Sequence, residues 1–265
     1  MSTPGRPVVG VERVAVQQLK RTSVLKHQRN PSRAGELGLT LLKGFELTDD
    51  GERLAVPLSS QRLMAFLALN QRPLPRVYVA GTLWTDSSDE HSSGSLRSAL
   101  WRLQRPGYRL LEVNGDHICL ARQVQVDVRK VELVARQLMD GREGMTTDDV
   151  HTLASGGELL PGWYDDWILV ERERLRQLRL HALETMCTRL VEQQRLSEAI
   201  LAGLAAVEGE PLRESAHRTL IKAYLAEGNC AEALRQFRRY RELLHKELAL
   251  APSSDLDALI QHLVH

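Results

Sequence analysis

The sequence has few cysteines and no long apolar run, and each absence excludes a class of protein. Cys119, Cys187 and Cys230 form an odd, scattered set, which gives neither a disulfide framework nor a close-spaced zinc site. The longest apolar runs span only a few residues, too few for a membrane span, and residues 1–10 lack the apolar stretch of a secretory signal. We therefore expect a protein of a reducing cytoplasm that does not enter a membrane.

Motifs for metal, cofactor or catalytic chemistry are missing as well. The nine histidines show no metal-ligand spacing with one another or with a cysteine, and no Gly-x4-Gly-Lys-Ser/Thr phosphate loop occurs. Gly156-Gly157 lacks the flanking strand and glycine spacing of a dinucleotide site, and no nucleophile elbow is present. We therefore expect no metal, no cofactor and no enzymatic activity.

Charge is distributed unevenly along the chain, although the net charge is only +1. Residues 1–35 carry seven basic residues and one acidic residue, and residues 36–122 carry ten of each. Residues 123–265 carry eighteen basic and twenty-three acidic residues. Because nucleic acid responds to the local field, a basic front and an acidic back favour DNA binding by the front, with chance asymmetry as the alternative.

The first half of the chain reads as a basic arm followed by strands and three helices. Residues 1–35 are basic and contain several Pro, Gly and Ser, which predicts a mostly disordered arm, with a weak helical stripe within 11–25 as the alternative. Short strands are predicted at 39–42, 45–47 and 53–56, with a turn at Asp49-Asp50-Gly51. The helices follow: one capped by Ser59, one around Val77–Trp84, and one over Ser92–Gln104 after a polar loop, Asp86–His91.

The third predicted helix has one apolar face and one polar face. Its apolar side carries Leu96, Ala99, Leu100 and Leu103, and its other side carries Arg97, Ser98, Trp101, Arg102 and Arg105. Arginine can donate two hydrogen bonds to guanine, and a hydroxyl can reach a base or a phosphate. The tryptophan can contact a thymine methyl group, a sugar or a neighbouring subunit. This face predicts binding to duplex DNA, and a solvated helix surface is the alternative.

A hairpin is predicted after the third helix, because Asn114-Gly115 separates two apolar runs. Its tip, including Asn114, is expected near the DNA backbone or minor groove. Asp116 at the tip is unfavourable beside phosphate, so Arg109 and Arg122 at the base of the hairpin are expected to contribute more electrostatically. A purely structural hairpin is the alternative.

The second half of the chain reads as helical and contains a repeat. The segment 196–200 recurs at 230–234, an offset of 34 residues, which is the tetratricopeptide period. Helices within 127–180 are expected to stack on the repeats. Packing between two domains is the interpretation of Trp163, Tyr164 and Trp167, with a ligand pocket as the alternative. The solvated face of a long helix is predicted to carry Arg172, Arg174, Arg176 and Arg179.

These patterns together resemble the Streptomyces antibiotic regulatory proteins, over most of residues 37–260. The matching helix-turn-helix residues are Leu83-Trp84, Asp86, Leu96-Arg97 and Arg102-Leu103. The match continues through 157–162, Asp166-Trp167, Glu171-Arg172, Pro211–Glu214, His217-Arg218, Leu220, Ala223-Tyr224, Gly228, 232–234, Phe237 and 244–252. The second half is the more specific match, because several short motifs occur in order.

The resemblance implies a fold: an α+β winged helix-turn-helix domain of OmpR type, followed by an all-α tetratricopeptide-like helical domain. The expected boundaries are an arm over 1–35, a winged helix over 36–122 and a bacterial transcriptional activator domain over 123–265. It also implies a function, namely binding of promoter direct repeats in the bacterial nucleoid by two protomers side by side, and recruitment of RNA polymerase through its sigma factor, for a secondary-metabolite gene cluster. The polymerase contact is expected in the loop 85–91, at Thr85, Asp86, Asp89 and Glu90, and a solvated connection is the alternative.

The sequence departs from the family pattern in two places. Thr85 stands where glycine is frequent, and Asp116-His117-Ile118 replaces the usual glycine-aromatic pair of the wing. The second departure puts the minor-groove contact in doubt, though not the fold. An alternative function stays open, in which the helical repeats form a protein-interaction scaffold and the winged helix does not read DNA.

Overall fold

The structure, a computed structural model, describes residues 36–104, 107–141 and 144–261. The predicted basic arm, 1–35, lies outside the described residues. All contacts reported below lie within one compact unit, which holds residues 36–104 and the described residues from Arg109 onward. In the described part of the chain, no helix is both long enough and apolar enough to cross a membrane.

A four-stranded sheet opens the described chain. Its strands are β1 (Leu37–Thr40), β2 (Glu46–Asp49), β3 (Glu52–Arg53) and, much later in the sequence, β7 (Val124–Val126). The order is β3-β2-β1-β7, and β7 runs parallel to β1 while the other pairs are antiparallel. The β2–β3 turn has Asp50 and Gly51 at φ 49° and 84°, the two positive values that the tight hairpin turn requires.

Three helices follow: α1 (Leu58–Leu69), α2 (Arg76–Leu83) and α3 (Asp89–Leu103). The prediction of Ser59 as the N-cap of α1 is wrong, since Pro57 takes that position. The Ser59 hydroxyl accepts a hydrogen bond from Arg102 Nη1 at 3.1 Å, and the neighbouring Ser60 hydroxyl donates to the Ala99 carbonyl at 3.2 Å. The serines of the first turn therefore tie α1 to α3 instead of capping α1.

Helix α3 begins three residues earlier than predicted, at Asp89, with Ser88 as its N-cap. The predicted loop Asp86–His91 is correspondingly shorter, because Asp89, Glu90 and His91 belong to the helix. Two acidic residues in the first turn are favourable beside the partial positive charge of a helix N-terminus. Their polarity indicated a loop, but at this position it supports the helix.

The predicted hairpin is present as β5 (Leu111–Asn114) and β6 (His117–Leu120), and β4 (Leu74–Pro75) adds a third strand beside β6. Asn114 pairs with His117, so the two turn residues are Gly115 and Asp116, one position later than predicted. Gly115 has φ 61°, and glycine at the first central position is the pattern of a type II′ turn.

The remainder is helical: α4 (Asp127–Met139), α5 (Thr147–Ala154), α6 (Asp166–Glu192), α7 (Leu196–Gly209), α8 (Glu214–Ala226), α9 (Cys230–Leu248) and α10 (Ser254–Gln261). Helices α7 and α9 begin 34 residues apart, as the repeat predicts. Successive helices from α6 to α10 pack on one another, and α4 packs on α6. The predicted fold class, a winged helix followed by tetratricopeptide-like helices, is confirmed.

Small residues let α7 lie close to α8. The buried face of α7 carries Ala199, Ala202, Gly203, Ala205 and Ala206. A Cβ atom added at Gly203 would lie 3.0 Å from Leu220 Cδ1 and 3.2 Å from Leu220 Cα. The close approach of the two helices therefore depends on the absence of a side chain at this position.

The sheet and the helical region meet through backbone and aromatic contacts. Lys43 N–H donates to the Glu158 carbonyl, and Leu160 N–H donates to the Leu41 carbonyl, both at 2.9 Å. The Phe45 and Trp163 rings stack with centroids 6.4 Å apart. Trp167 meets Phe66 of α1 edge to face at 5.1 Å. The interpretation as packing residues is confirmed for the two tryptophans. It is wrong for Tyr164, which lies between them in sequence and is 79% exposed.

Three of the four arginines of α6 are half-buried, so the prediction of a solvated face is wrong for Arg172, Arg176 and Arg179, whereas Arg174 is exposed. Arg172 donates to the carbonyls of Leu159 and Leu160, at 2.9 and 2.8 Å. Arg174 pairs with the buried carboxylate of Glu132 in α4. Arg176 pairs with Glu210, and Arg179 donates to the carbonyls of Leu153 and Ala154. These guanidinium groups donate to backbone carbonyls of a loop and a helix end, or pair with carboxylates. Periodicity alone does not reveal such partners.

Candidate nucleic-acid interface

Helix α3 is held in place by its apolar face. Leu96, Ala99 and Leu103 are buried, and Leu100 is half-buried. Helix α3 packs against α2 and α1, which completes a helix-turn-helix. Burial of three aliphatic side chains favours this orientation by several kcal/mol, of the order of 1.5–3 kcal/mol for each large side chain.

The opposite face of α3 points to solvent. Arg97, Ser98, Trp101 and Arg102 are all exposed, and Trp101 is 73% exposed. Trp101 thus presents a large apolar ring to solvent on the same face as the two arginines. The predicted separation of a leucine side from a polar side is therefore what the structure has. Arg105, the fifth predicted residue of this face, lies outside the described residues.

The four described side chains differ in how free they are to bind. Arg97 makes no hydrogen bond or ion pair with any described residue. One Nη of Arg102 donates a hydrogen bond to the Ser59 hydroxyl. The Ser98 hydroxyl donates back to the Gly94 carbonyl at 3.1 Å, so it keeps only acceptor capacity for a ligand in this conformation. The free guanidinium of Arg97 is the strongest donor of this face.

The hairpin places the predicted wing residues where the sequence suggested. Asn114 is exposed beside the turn, and Arg109 and Arg122 are exposed at the opposite end, the base of the hairpin. The Arg109 carbonyl accepts from Gln123 Nε2 at 2.7 Å, which fixes the backbone there. At the tip, Asp116 Oδ1 lies within hydrogen-bond distance of His117 Nδ1, at 2.6 Å.

The connection between α2 and α3 presents acidic groups. Thr85 and Asp86 are exposed in the loop, and Asp89 and Glu90 are exposed in the first turn of α3. The Ser88 hydroxyl lies 2.7 Å from His91 Nδ1, which braces the start of the helix. The four predicted polymerase-contact residues thus divide between a loop and a helix.

Two carboxylates that position the winged helix were missed from the sequence. Asp127, the first residue of α4, accepts from the backbone N–H groups of Leu41 and Leu42, just after β1. Glu132 of α4 is buried and accepts from Gln71 Nε2, just after α1, at 2.6 Å. An acidic residue in a first helical turn is a signal for a helix start, but it does not reveal a partner 85 residues away.

No described group of three or more histidine, cysteine or acidic residues is arranged to hold a metal ion. Within the described ranges, the acids and arginines of the α2–α3 and wing regions are instead spread over an exposed surface. The arginines of this surface have the donor groups to bind phosphate oxygens or base edges.

A winged helix-turn-helix followed by tetratricopeptide-like helices defines a class of bacterial regulator. Residues 129–264 match the family described as bacterial transcriptional activator domain. The chain belongs to this family, as a transcriptional regulator of the Streptomyces antibiotic regulatory protein type, and the resemblance stated from the sequence is confirmed. Its family is one of regulators and not a class of enzymes.

Two curated relatives carry the name regulatory protein AfsR. The one from Streptomyces coelicolor is 26% identical over 242 residues, which cover 87% of this chain and 24% of the relative. The one from Streptomyces griseus is 25% identical over 251 residues, which cover 88% of this chain and 25% of the relative. The chain therefore spans about a quarter of the length of these relatives.

One solved structure shares the fold. Mycobacterium tuberculosis EmbR, solved in complex with a low-affinity phosphopeptide, superposes with a TM-score of 0.60 and 20% sequence identity. The match covers 87% of this chain and 65% of that one. At this identity the likeness concerns the architecture alone, which supports the winged helix and the helical domain.

Proposed function

We propose that this chain is a sequence-specific, DNA-binding transcriptional activator. The observation that carries the proposal is the exposed face of α3, where Arg97, Ser98, Trp101 and Arg102 stand opposite a buried leucine face. A helix of this kind fits the major groove, where arginine discriminates guanine by about 1–3 kcal/mol for each good bidentate contact. Arg105 extends the same face in sequence.

The wing is proposed to contact the phosphate backbone. Arg109 and Arg122 lie at the base of the hairpin and bring positive charge without a carboxylate partner among the described residues. Asn114 at the tip can donate to a phosphate or sugar oxygen. Binding would therefore weaken with added salt, because phosphate contacts release condensed counterions.

RNA polymerase, including its sigma factor, is proposed as the protein partner. Thr85, Asp86, Asp89 and Glu90 form an exposed acidic patch at the α2–α3 connection. Such a patch complements a basic surface and would steer association. Two protomers are proposed to bind side by side on direct repeats in a promoter of a secondary-metabolite gene cluster, within the bacterial cytoplasm. The proposed division of the chain keeps the winged helix within 36–122 and the activator domain within 123–265.

The test begins with the sequence of the bound DNA. Genomic fragments are incubated with the purified chain, and those retained are sequenced to give a candidate site. Binding to that site is then measured by fluorescence anisotropy at two salt concentrations, for the wild-type chain, Arg97→Ala and Arg102→Ala. We expect each variant to bind about tenfold to a hundredfold more weakly if its arginine reads a base.

The control is Arg238→Ala, which removes a positive charge that is also exposed, from α9. It should leave DNA binding unchanged, so that a general effect of net charge is separated from a contact. Unchanged binding by both α3 variants would remove the assignment of the recognition helix. Absence of any enriched DNA would instead favour a protein-interaction scaffold.

A further inference from the structure

A cavity of about 530 Å³ lies between the loop after α5, the first half of α6 and the end of α7. Leu159, Leu169, Leu175 and Ala205 form apolar walls, and several charged side chains complete the lining. The volume falls within the range of about 300–1,000 Å³ that small-molecule sites occupy. No residue of α3 or the wing lines it, so the cavity is separate from the candidate nucleic-acid interface.

Among the arginines that line the cavity, Arg179 differs in its partners. Arg172 pairs with Glu158 at 3.0 Å, and Arg176 pairs with Glu173 at 2.8 Å. Arg179 uses Nε on the Leu153 carbonyl at 2.7 Å and one Nη on the Ala154 carbonyl at 3.0 Å. No carboxylate of the described residues lies within 4.0 Å of its guanidinium.

The charge of Arg179 is therefore uncompensated by a close anion, although the side chain is half-buried. Burial lowers the pKa of its guanidinium, which records the cost of keeping the charge out of water. Two carbonyl partners leave donor capacity on the second Nη. An anion reaching that nitrogen would relieve the cost of the buried charge and gain a charge-assisted hydrogen bond.

Two glycines lie close to this guanidinium. A Cβ atom added at Gly156 would lie 2.7 Å from Arg179 Nε, and one added at Gly209 would lie 4.0 Å from Arg179 Nη1. Arg179 Nη1 thus lies near Gly209, and both residues line the cavity. Ala205, an apolar lining residue, lies one helical turn before Gly209 on α7.

We propose that this cavity binds a small amphipathic carboxylate, with its head group on Arg179 and its apolar chain along Leu159, Leu169 and Leu175. The guanidinium supplies the charge, and the leucines supply a wall that a fully polar anion would not use. Glu208 also lines the cavity and interacts with Arg179 electrostatically without a direct ion pair. It opposes an incoming anion, so its removal should strengthen binding.

Octanoate is a suitable probe, measured on the full chain by isothermal titration calorimetry in the absence of DNA. Octanamide has the same chain without the charge, and acetate has the charge without the chain. We expect each comparator to bind at least about tenfold more weakly than octanoate, since each lacks one of the two interactions. Equal binding of octanoate and octanamide, or no binding of octanoate, would overturn the proposal.

The variants are placed at exposed positions, because replacing Arg179 would also remove two hydrogen bonds from the end of α5. Glu208→Gln should raise octanoate affinity by roughly threefold or more. Leu169→Asp, at a lining side chain that is 44% exposed, should lower it by about as much or more. Leu133→Asp, on the exposed side of α4, is the matched control and should leave it unchanged.

An unaltered affinity for octanoate in both Glu208→Gln and Leu169→Asp would show that octanoate binds outside this cavity, which would overturn the proposal. An equal loss in Leu133→Asp would show a general charge effect and overturn it too. The experiment contains no DNA, so its outcome does not depend on the proposed function of α3.

Discussion

The carboxylate of Asp127 accepts a hydrogen bond from the backbone N–H of Leu41, just after the end of β1. Its Oδ1 lies 3.0 Å from Leu41 N, while Oδ2 accepts from Leu42 N at 2.9 Å. Burial raises the pKa of this carboxyl group, against the opposite effect of the backbone hydrogen bonds. One side chain at the start of α4 thus satisfies two backbone donors that leave the sheet.

Replacing Asp127 tests how much this arrangement stabilises the fold. Asp127→Ala leaves the N–H groups of Leu41 and Leu42 without their acceptor, and we expect the free energy of unfolding to fall by about 2–4 kcal/mol. Asp127→Asn keeps one acceptor oxygen and should lose less. Urea unfolding followed by circular dichroism measures both. Equal losses of unfolding free energy in the two variants would show that the acceptor oxygen does not stabilise the fold.

Glycine at two helical positions should respond in opposite ways to alanine. Gly203→Ala brings a Cβ within 3.2 Å of the Leu220 backbone, and we expect a loss of about 1–2 kcal/mol despite the better helix propensity of alanine. Gly81→Ala in α2 meets no atom within 4 Å and should stabilise by up to about 1 kcal/mol. Thermal unfolding of the two variants gives the comparison, and a stabilised Gly203→Ala would contradict the close helix contact.

His217 should make stability depend on pH below neutrality. Its Nε2 donates to the Pro211 carbonyl at 2.8 Å, Gln236 donates to its Nδ1 at 2.8 Å, and the ring stacks on Tyr240. Burial lowers its pKa from the ordinary 6.5. The unfolded chain therefore takes up the proton first, and the free energy of unfolding should fall as the pH drops below 6.5.

The comparison is with His217→Gln, which keeps a side-chain donor and acceptor but does not titrate. Urea unfolding at pH 7.5, 6.5 and 5.5 should show a steeper decline for the wild-type chain than for the variant. Parallel declines would assign the pH dependence to other groups.

The three cysteines should react with alkylating agents at different rates. Burial raises the pKa of the Cys187 thiol to about 12, and burial also raises the pKa of the half-buried Cys119. Because the thiolate is the reactive form, iodoacetamide at pH 8 should modify the exposed Cys230 first and Cys187 only after unfolding. Peptide mass spectrometry gives the order. Rapid labelling of Cys187 in the native protein would contradict the packing of α6.

Features with strong local signals were predictable from the sequence. The Asp50-Gly51 turn, the wing hairpin and the two faces of α3 follow from turn chemistry and periodicity over a few residues. The 34-residue offset predicted the start of α9 from that of α7. The helical periodicity of α3 also predicts which of its side chains are exposed, so these residues of the candidate interface could be named from the sequence alone.

Features that depend on distant residues were not predictable in this way. The pairing of β7 with β1 joins segments more than eighty residues apart. Arg172 and Arg179 have the spacing of surface residues, and only the folded chain brings backbone carbonyls to them. Ser59 has the chemistry of a cap, but a contact with Arg102 decides its role. Tertiary contacts override local preference in each case.

The position of β7 bears on how this protein can be divided. A fragment that ends at residue 122 keeps β1 but lacks the parallel strand that covers its edge. It also lacks Asp127, so the amides of Leu41 and Leu42 would face water or another molecule. An open strand edge is a template for intermolecular pairing. Truncation ahead of Val124 would thus turn β1 from an interior strand into an exposed edge strand that is prone to aggregation.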